Sequence, residues 1–455
     1  SFGNSVLYLA GMTSSTNGIS MGGHQNTMGG YWDGFVAKFD TNGNRIWATY
    51  YGGFDFESGS GVATDLLGNV YLSGISGSSF GIASGGHQNT MAGNHDAYLV
   101  KFNAAGIRIW GTYYGGTDLD SGQEVATDAL GNVYLSGGGN STSGIAAGGY
   151  QNTLAGGTDA YLVKFNAAGV RIWGTYFGGS QYDGITRLET DASGNIYAAG
   201  FTESASGIAT GGHQNVYGGN TDLFVAKFNA LGALLWSTYY GDTSLEDYPD
   251  LALDQNANVY LAGQTRSPTN FASGGHQNQI GGRWDAILVK FNSAGIRLWG
   301  TYYGDTMPEY GTAVCTDAAS NVYLGGHTQS TRFIASGGYQ NVLTGYADSY
   351  VVKFDPAGNR IWGTYLGFPY NTIIDGLRAI NNYSIFILGN TTIVGGMTGP
   401  HQTVFGGGTY DAFLAKITQG ACTPPVPATG AVHASHCSGT PIPPISVAIP
   451  AVGDS

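Results

Sequence analysis

Short apolar runs alternate with glycine-rich turns along this chain, and no stretch shows the period of an amphipathic helix. One stretch carries four such runs, at residues 123–128, 132–137, 159–165 and 171–179. Short glycine-containing connections join the first run to the second and the third to the fourth, which predicts two β-hairpins. Large apolar residues occupy both faces of these runs, a pattern typical of strands that are covered on both sides.

This four-strand unit recurs with a constant period of 63 residues. Three residues mark the period: an aspartate that opens the third run, a lysine in that run, and a tryptophan in the fourth. The aspartates are Asp33, Asp96, Asp159, Asp222, Asp285, Asp348 and Asp411, and the lysines lie five residues after them, from Lys38 to Lys416. Seven units of four strands with covered faces predict an all-β fold, a seven-bladed β-propeller of four-stranded blades. An open β-solenoid is the alternative, although its coils usually have a shorter repeat.

The unit resembles the bacterial SBBP β-propeller repeat. The matching features are a Gly-x-x-Gln stretch, the phrase DAYLVK, a tyrosine-rich strand that ends in Gly-Gly, and an Asp-x-x-Gly-Asn-x-Tyr turn. The resemblance covers about residues 1–417. It implies a secreted or surface-exposed bacterial protein of the Bacteroidetes type, and it implies no reaction, because that family has no shared catalytic residues.

Charge and composition exclude two classes of partner. The formal net charge is −13, whereas a nucleic-acid surface needs clustered lysine and arginine. No apolar run reaches the roughly 18 residues of a membrane span. The first residues show no signal peptide, which is therefore absent or already removed. Sparse charge and glycine-rich loops are compatible with an extracellular location.

The two ends of the chain cut the ring inside a blade. The sequence begins in the turn after an innermost strand and ends its last repeat at residues 411–417. We expect the two missing strands to lie upstream of Ser1 and to close the last blade; the alternative is that a tail strand at residues 445–452 substitutes for one of them. Residues 1–419 are then the propeller, and the Pro-rich residues 420–455 are a linker or the start of a following domain in a longer chain. Cys422 and Cys437 can pair within that tail, whereas Cys315 is expected to be buried.

The loops between the second and third runs are the long ones, and they contain the phrase GGHQN. Long loops often carry function, so the end of the ring at which they lie, here called the long-loop face, is the candidate binding face. The phrase itself is predicted to be scaffolding. Its histidine is replaced by Tyr150 and Tyr339 in two units, an exchange that a metal ligand would not tolerate.

Departures from the repeat on this face point to a ligand. The residues just before the third run vary. Trp32 and Trp284 share one position there, His95 holds that position in another unit, and Tyr31 and Tyr346 occupy the position before it. Aromatic residues on a binding face suit sugar rings or protein hot spots. The alternative is that these aromatic residues pack between neighbouring loops.

An acidic position recurs just before the first run in five of six units, at Glu57, Asp120, Asp183, Glu246 and Glu309, and Thr372 is the exception. Ring closure would bring these carboxylates around one channel mouth, where they could bind a cation such as Ca²⁺; alternatively, each caps its own loop. The aspartates that end the first run, from Asp65 to Asp317, are predicted partners of the buried lysines.

No motif of an enzyme is present: there is no nucleophile elbow, no HExxH and no carboxylate pair that stands apart from the repeat. Three functions therefore compete. We expect a non-enzymatic module that binds a glycan or a surface protein through the long-loop face. A structural spacer in a large surface protein is the alternative, and a carbohydrate-active enzyme is the least favoured.

Overall fold

The structure of the chain is a computed structural model that describes residues 2–3, 6–367, 372–391, 411–418 and 446–448. Seven antiparallel sheets of four strands each follow one another along the chain, and their strands are numbered β1 to β28. The first four blades are β1 (Phe2–Gly3), β2 (Val6–Thr13), β3 (Asp33–Asp40) and β4 (Arg45–Tyr51); β5 (Gly61–Thr64), β6 (Val70–Ser76), β7 (Asp96–Phe102) and β8 (Arg108–Tyr114); β9 (Asp120–Thr127), β10 (Val133–Gly139), β11 (Asp159–Phe165) and β12 (Arg171–Phe177); and β13 (Asp183–Thr190), β14 (Ile196–Thr202), β15 (Asp222–Phe228) and β16 (Leu234–Tyr240). The last three blades are β17 (Glu246–Leu253), β18 (Val259–Thr265), β19 (Asp285–Phe291) and β20 (Arg297–Tyr303); β21 (Glu309–Thr316), β22 (Val322–Thr328), β23 (Asp348–Phe354) and β24 (Arg360–Leu366); and β25 (Thr372–Asn381), β26 (Ser384–Thr391), β27 (Asp411–Thr418) and β28 (Ser446–Ala448).

Seven clusters of buried apolar side chains lie between the blades, one at each interface of the ring. The cluster that joins the last blade to the first contains Phe386 and Leu414 together with Leu7 and Phe35. Each blade thus buries both faces against its neighbours, which is why its strands are apolar throughout. The ring is closed, so the prediction of a seven-bladed propeller with a repeat of about 63 residues is confirmed, and the open solenoid is excluded.

The seventh blade is completed by a strand from the tail. Here β28 pairs antiparallel with β27, and Leu414 lies opposite Ala448. The expectation that an upstream strand would fill this outer position is therefore not what the structure shows, and the tail-strand alternative is the arrangement observed. The proposed Cys422–Cys437 pair and the boundary at residues 419–420 lie outside the described residues, whereas Cys315 is buried as predicted.

The repeated lysine joins neighbouring blades. Nζ of Lys101 donates a hydrogen bond to the Ala167 carbonyl of the next blade at 3.2 Å, lies 3.6 Å from the Asp65 carboxylate, and stands over the Tyr71 ring. The predicted pairs recur at 3.1–3.8 Å as Lys101–Asp65, Lys164–Asp128, Lys290–Asp254 and Lys353–Asp317. A buried ammonium is tolerated here because a carboxylate and a carbonyl both compensate for its lost hydration.

Candidate functional site

In the six blades whose long loops the structure describes, these loops cover the outer edge of the blade before they reach the long-loop face. In the first blade, Met21 pairs with Ala48 of the outermost strand, and Gln25 pairs with Tyr50 of the same strand. An outermost strand would otherwise expose a row of unpaired backbone groups that invites pairing with other chains. The GGHQN part of the loop therefore protects an edge, and only the remainder of the loop contributes to the candidate binding face.

The glutamine of GGHQN fastens this loop to the blade. The Gln25 side chain donates from Nε2 to the Asp33 carboxylate at 3.0 Å and accepts a hydrogen bond from the Gly52 amide at 3.1 Å. Asp33 is fully buried and also accepts hydrogen bonds from the Gly29 and Gly30 amides. The same pattern recurs in other blades, so the prediction that this phrase is scaffolding is confirmed for the glutamine and for the aspartate.

The histidine of GGHQN contacts two blades from an exposed position. The His24 ring lies 6.3 Å from the Tyr51 ring of its own blade and 6.3 Å from the Phe102 ring of the next. Partial burial, and secondarily the charge of Arg108, lower the pKa of this imidazole. The predicted aromatic packing is thus present, but the ring lies on the outer surface and not beneath the loop. His401 lies outside the described residues.

The repeated acidic position is buried within each blade. Glu57, Asp120, Asp183, Glu246 and Glu309 have no exposed surface. Glu246 is representative: it accepts hydrogen bonds from the Asp242 amide at 3.0 Å, the Thr265 hydroxyl at 2.7 Å and the Ser267 hydroxyl at 2.9 Å. Burial raises the pKa of Glu246 to about 8. These side chains fasten the start of the innermost strand to the end of the second.

The expected ring of carboxylates at the channel mouth is therefore absent from the structure. Each acid is saturated by its own blade, and in the ranges that the structure describes no group of three His, Cys, Asp or Glu residues could hold a metal ion. The carboxylates do not reach the channel axis because each one is held by hydrogen bonds from amides and hydroxyls of its own blade. The alternative of local capping is what the structure shows.

The five aromatic residues predicted for the long-loop face divide into two groups. Tyr31 and Tyr346 are 76% and 75% exposed. Trp32 and His95 are half-buried. Trp284 is also half-buried, because the Arg266 guanidinium covers its ring at 4.1 Å and the Tyr310 ring of the next blade lies 6.3 Å away. The two tryptophans thus pack between loops, and the two tyrosines point to solvent.

Two further aromatic pairs on this face were missed by sequence reasoning. Phe54 stacks on Phe80 with the ring centroids 4.6 Å apart, and both side chains are exposed. Tyr182 stacks on Phe201 at 5.4 Å. Their signal in the sequence was like that of the tryptophans, an aromatic residue at a repeat position that is mostly not aromatic. Phe54 and Phe80 each occur in one unit, whereas Tyr182 shares its position with Phe56 and Phe201 shares its position with His327.

The central channel holds a second group of departures from the repeat. The innermost strands enclose a cavity of about 920 Å³. One repeat position of the innermost strand is Gly61, Glu124, Arg187, Asp250, Ala313 and Gly376 in successive blades. All of these residues except Ala313 line the cavity. A second repeat position, two residues later, is alanine or cysteine except at Glu189 and Arg378. Sequence reasoning missed this group because residues 63 positions apart become neighbours only around the closed ring.

Arg187 is the centre of this channel group. Its Nε lies 2.6 Å from the Asp250 carboxylate, and its Nη1 lies 3.9 Å from the Glu124 carboxylate. Burial raises the pKa of Glu124 to about 7, although Arg187 opposes the shift. Desolvation by the surrounding inner strands likewise raises the pKa of Asp375 to about 6, although its side chain is exposed to the channel and accepts a hydrogen bond from Asn390 at 2.5 Å. The channel therefore contains carboxylates whose charge is incompletely compensated.

The chain is a seven-bladed β-propeller repeat protein. No protein-family model matches it. It is 22% identical to the uncharacterized WD repeat-containing protein L264 of Acanthamoeba polyphaga mimivirus, over 77% of this chain and 31% of the relative. It is also 22% identical to the regulatory protein FlaEY of Caulobacter vibrioides, over 72% of this chain and 35% of the relative. The chain thus spans about a third of the length of these curated relatives.

A solved structure of a protein of unknown function from Bacteroides caccae matches 78% of this chain and 94% of its own, with 10% identity and a TM-score of 0.35. A score of this size supports no argument about activity.

In the described ranges, no helix is long and apolar enough to cross a membrane.

Proposed function

We propose that the chain is a non-enzymatic binding or adhesion module of a secreted or cell-surface bacterial protein, and that it recognises a glycan or a protein through its long-loop face. The fold is compatible with a binding module, and the resemblance to the SBBP repeat supports the extracellular setting. The observation that carries the proposal is the set of exposed aromatic residues at this end of the ring.

These aromatic residues have no role in building the blades. Tyr31 and Tyr346 are largely exposed, and they share one repeat position that is Asn94, Gly157, Asn220 and Arg283 in four other units. The Phe54–Phe80 pair adds two more exposed rings to the same face. Exposed aromatic surface costs solubility without stabilising the fold, and such surface usually marks a binding site.

We expect the double variant Tyr31→Ala/Tyr346→Ala to lose binding at least about tenfold, since rigid aromatic anchors dominate recognition energetics. Its melting temperature should stay close to that of the wild type, because substitutions of exposed residues usually change stability within about 0.5 kcal/mol. The measurement is a glycan and surface-polymer screen of the purified chain, followed by titration of the strongest ligand.

Tyr150→Ala/Tyr339→Ala is the matched control, because these tyrosines are also half-exposed but lie in the GGHQN segment on the outer edge. The control should bind normally. Trp32→Ala/Trp284→Ala should weaken binding and lower the melting temperature together, because both side chains are partly packed. Unchanged binding by the Tyr31/Tyr346 variant, or no ligand in the screen, would favour the structural spacer.

Calcium is not part of this proposal, because the five acids of the predicted ring are saturated by their own blades. We expect the melting temperature to be the same with millimolar calcium and with a chelator. A calcium-dependent rise that disappears in Glu246→Gln would restore the ring hypothesis that the sequence suggested.

A further inference from the structure

The charged side chains of the channel are not needed to build the propeller. The blades that carry Gly61 and Ala313 at the first of these repeat positions form the same four-stranded sheets as those that carry Glu124, Arg187 and Asp250 there. Other positions of these strands keep the repeat, such as the valine or leucine that packs between blades. The charges are therefore an addition to the scaffold, confined to part of the ring.

The channel group carries an excess of negative charge. Six carboxylates line the cavity together with two guanidiniums, Arg187 and Arg378. Two of the six, Asp191 and Asp254, accept hydrogen bonds within their own hairpin turns. The other four are Glu124, Glu189, Asp250 and Asp375. Asp250 is paired closely, since it lies 2.6 Å from Arg187 and also accepts a hydrogen bond from the Val314 amide at 2.6 Å.

The two glutamates are paired more loosely. Glu124 lies 3.9 Å from Arg187, and Glu189 lies 3.9 Å from Arg378, which is the outer limit of an ion pair. The side chains of Glu124 and Glu189 are 19% and 37% exposed, respectively, and both line the cavity. Glu124 and Glu189 thus have oxygen atoms available to a further hydrogen-bond donor.

Burial is the main cause that raises the pKa of Glu124 and the pKa of Glu189. Other negative charges of the channel act on both glutamates: the charge of Asp250 raises the pKa of each, and the charge of Glu189 also acts on Glu124. A positive charge placed between them would relieve both effects, because an opposite charge favours the ionised form of a buried carboxylate.

A metal ion does not fit this arrangement. Among the residues that the structure describes, no three His, Cys, Asp or Glu side chains are close enough to coordinate one ion. An organic cation has different requirements: its N–H donors point in several directions and bridge carboxylates that are further apart.

We propose that the central channel binds a guanidinium or primary ammonium group between Glu124 and Glu189. The cavity of about 920 Å³ admits either a small free amine or a basic side chain that a partner inserts into the channel. This site is separate from the long-loop face, so each proposal can fail without the other.

The test is calorimetric titration of the whole chain with two probes, agmatine and the peptide Gly-Gly-Arg-Gly-Gly. We expect binding that Glu124→Gln and Glu189→Gln each weaken about tenfold, the effect of losing one charge-assisted hydrogen bond. Glu203→Gln is the matched control, because Glu203 is an exposed glutamate outside the cavity lining, and it should bind as the wild type does.

The two probes distinguish the sources. Agmatine binding supports a free amine as ligand, and binding of the peptide alone supports a partner's basic side chain. A peptide in which citrulline replaces arginine has the same shape without the charge, and it should not bind to the wild type. Absence of binding by both probes, or equal binding by Glu189→Gln and the wild type, would overturn the proposal and leave the charges as ties between blades.

Discussion

Gly169→Ala should destabilise the propeller far more than Gly131→Ala, although both glycines end a tight turn with a positive φ. Gly169 has a φ of +79°, and an added Cβ would lie about 3 Å from three ring atoms of Trp110 in the preceding blade. Gly131 has a φ of +77°, and its Cβ would meet only the Ala167 Cβ at 4.0 Å. The pair therefore separates the backbone effect from the contact between blades.

Both variants lose about 1–2 kcal/mol because alanine adopts the left-handed conformation reluctantly. Gly169→Ala should lose about 1–3 kcal/mol more, since the buried indole must move to accept a methyl group. The indole has little freedom to move: Trp110 is 4% exposed, and its Nε1 donates to the Ala167 carbonyl at 3.1 Å. Thermal or urea unfolding followed by tryptophan fluorescence measures the difference. An equal decrease in the free energy of unfolding in the two variants would mean that the Trp110 indole moves aside at little cost, contrary to its close packing.

The stability of the chain should fall between pH 5 and pH 8, and Glu246 should account for part of that fall. Its pKa in the folded state is raised to about 8 by burial, from an ordinary value of 4.5. Within this window the folded carboxyl keeps its proton and the unfolded one does not. The folded state therefore binds more protons, and the free energy of unfolding decreases as pH rises, by up to about 1.4 kcal/mol per unit.

Glu246→Gln tests this assignment. Glutamine suits the site because its side-chain NH₂ group can donate to the Thr265 and Ser267 hydroxyls, which accept hydrogen bonds as well as donate them. Its side-chain oxygen can still accept the hydrogen bond from the Asp242 amide. We expect a shallower decline of the melting temperature with pH, and a variant at least as stable as the wild type at pH 8. Glu203→Gln removes the same charge from an exposed position and should leave the slope unchanged. A slope equal to that of the wild type would show that Glu246 is ionised in the folded state throughout.

The channel proposal and the long-loop proposal rest on different departures from one repeat. On the face, Tyr31 and Tyr346 replace small or polar residues at a loop. In the channel, Glu124 and Arg187 occupy a position that is glycine or alanine elsewhere. A strict repeat makes such exceptions visible, because the residues that most units share are those that build the blade.

The sequence by itself determined the number of blades, the strands, and contacts that recur in several units. The pairing of Lys101 with Asp65 was predictable because both lie at the same end of one blade, and the contact of Gln25 with Asp33 joins residues only eight positions apart. The prediction needed only the periodicity and the order of the strands.

Only the tertiary structure decided how distant units meet. Residues of the channel group, such as Glu124 and Arg187, are 63 positions apart and become neighbours because the closed ring places the same face of each inner strand around one axis. The outer-edge path of the GGHQN loop, the use of β28 in the last blade and the burial of Glu246 are decided within single blades, by strand pairing and hydrogen bonds that the periodicity does not specify. Closure adds contacts between units, and the desolvation and pairing of the charged groups in the channel follow from those contacts.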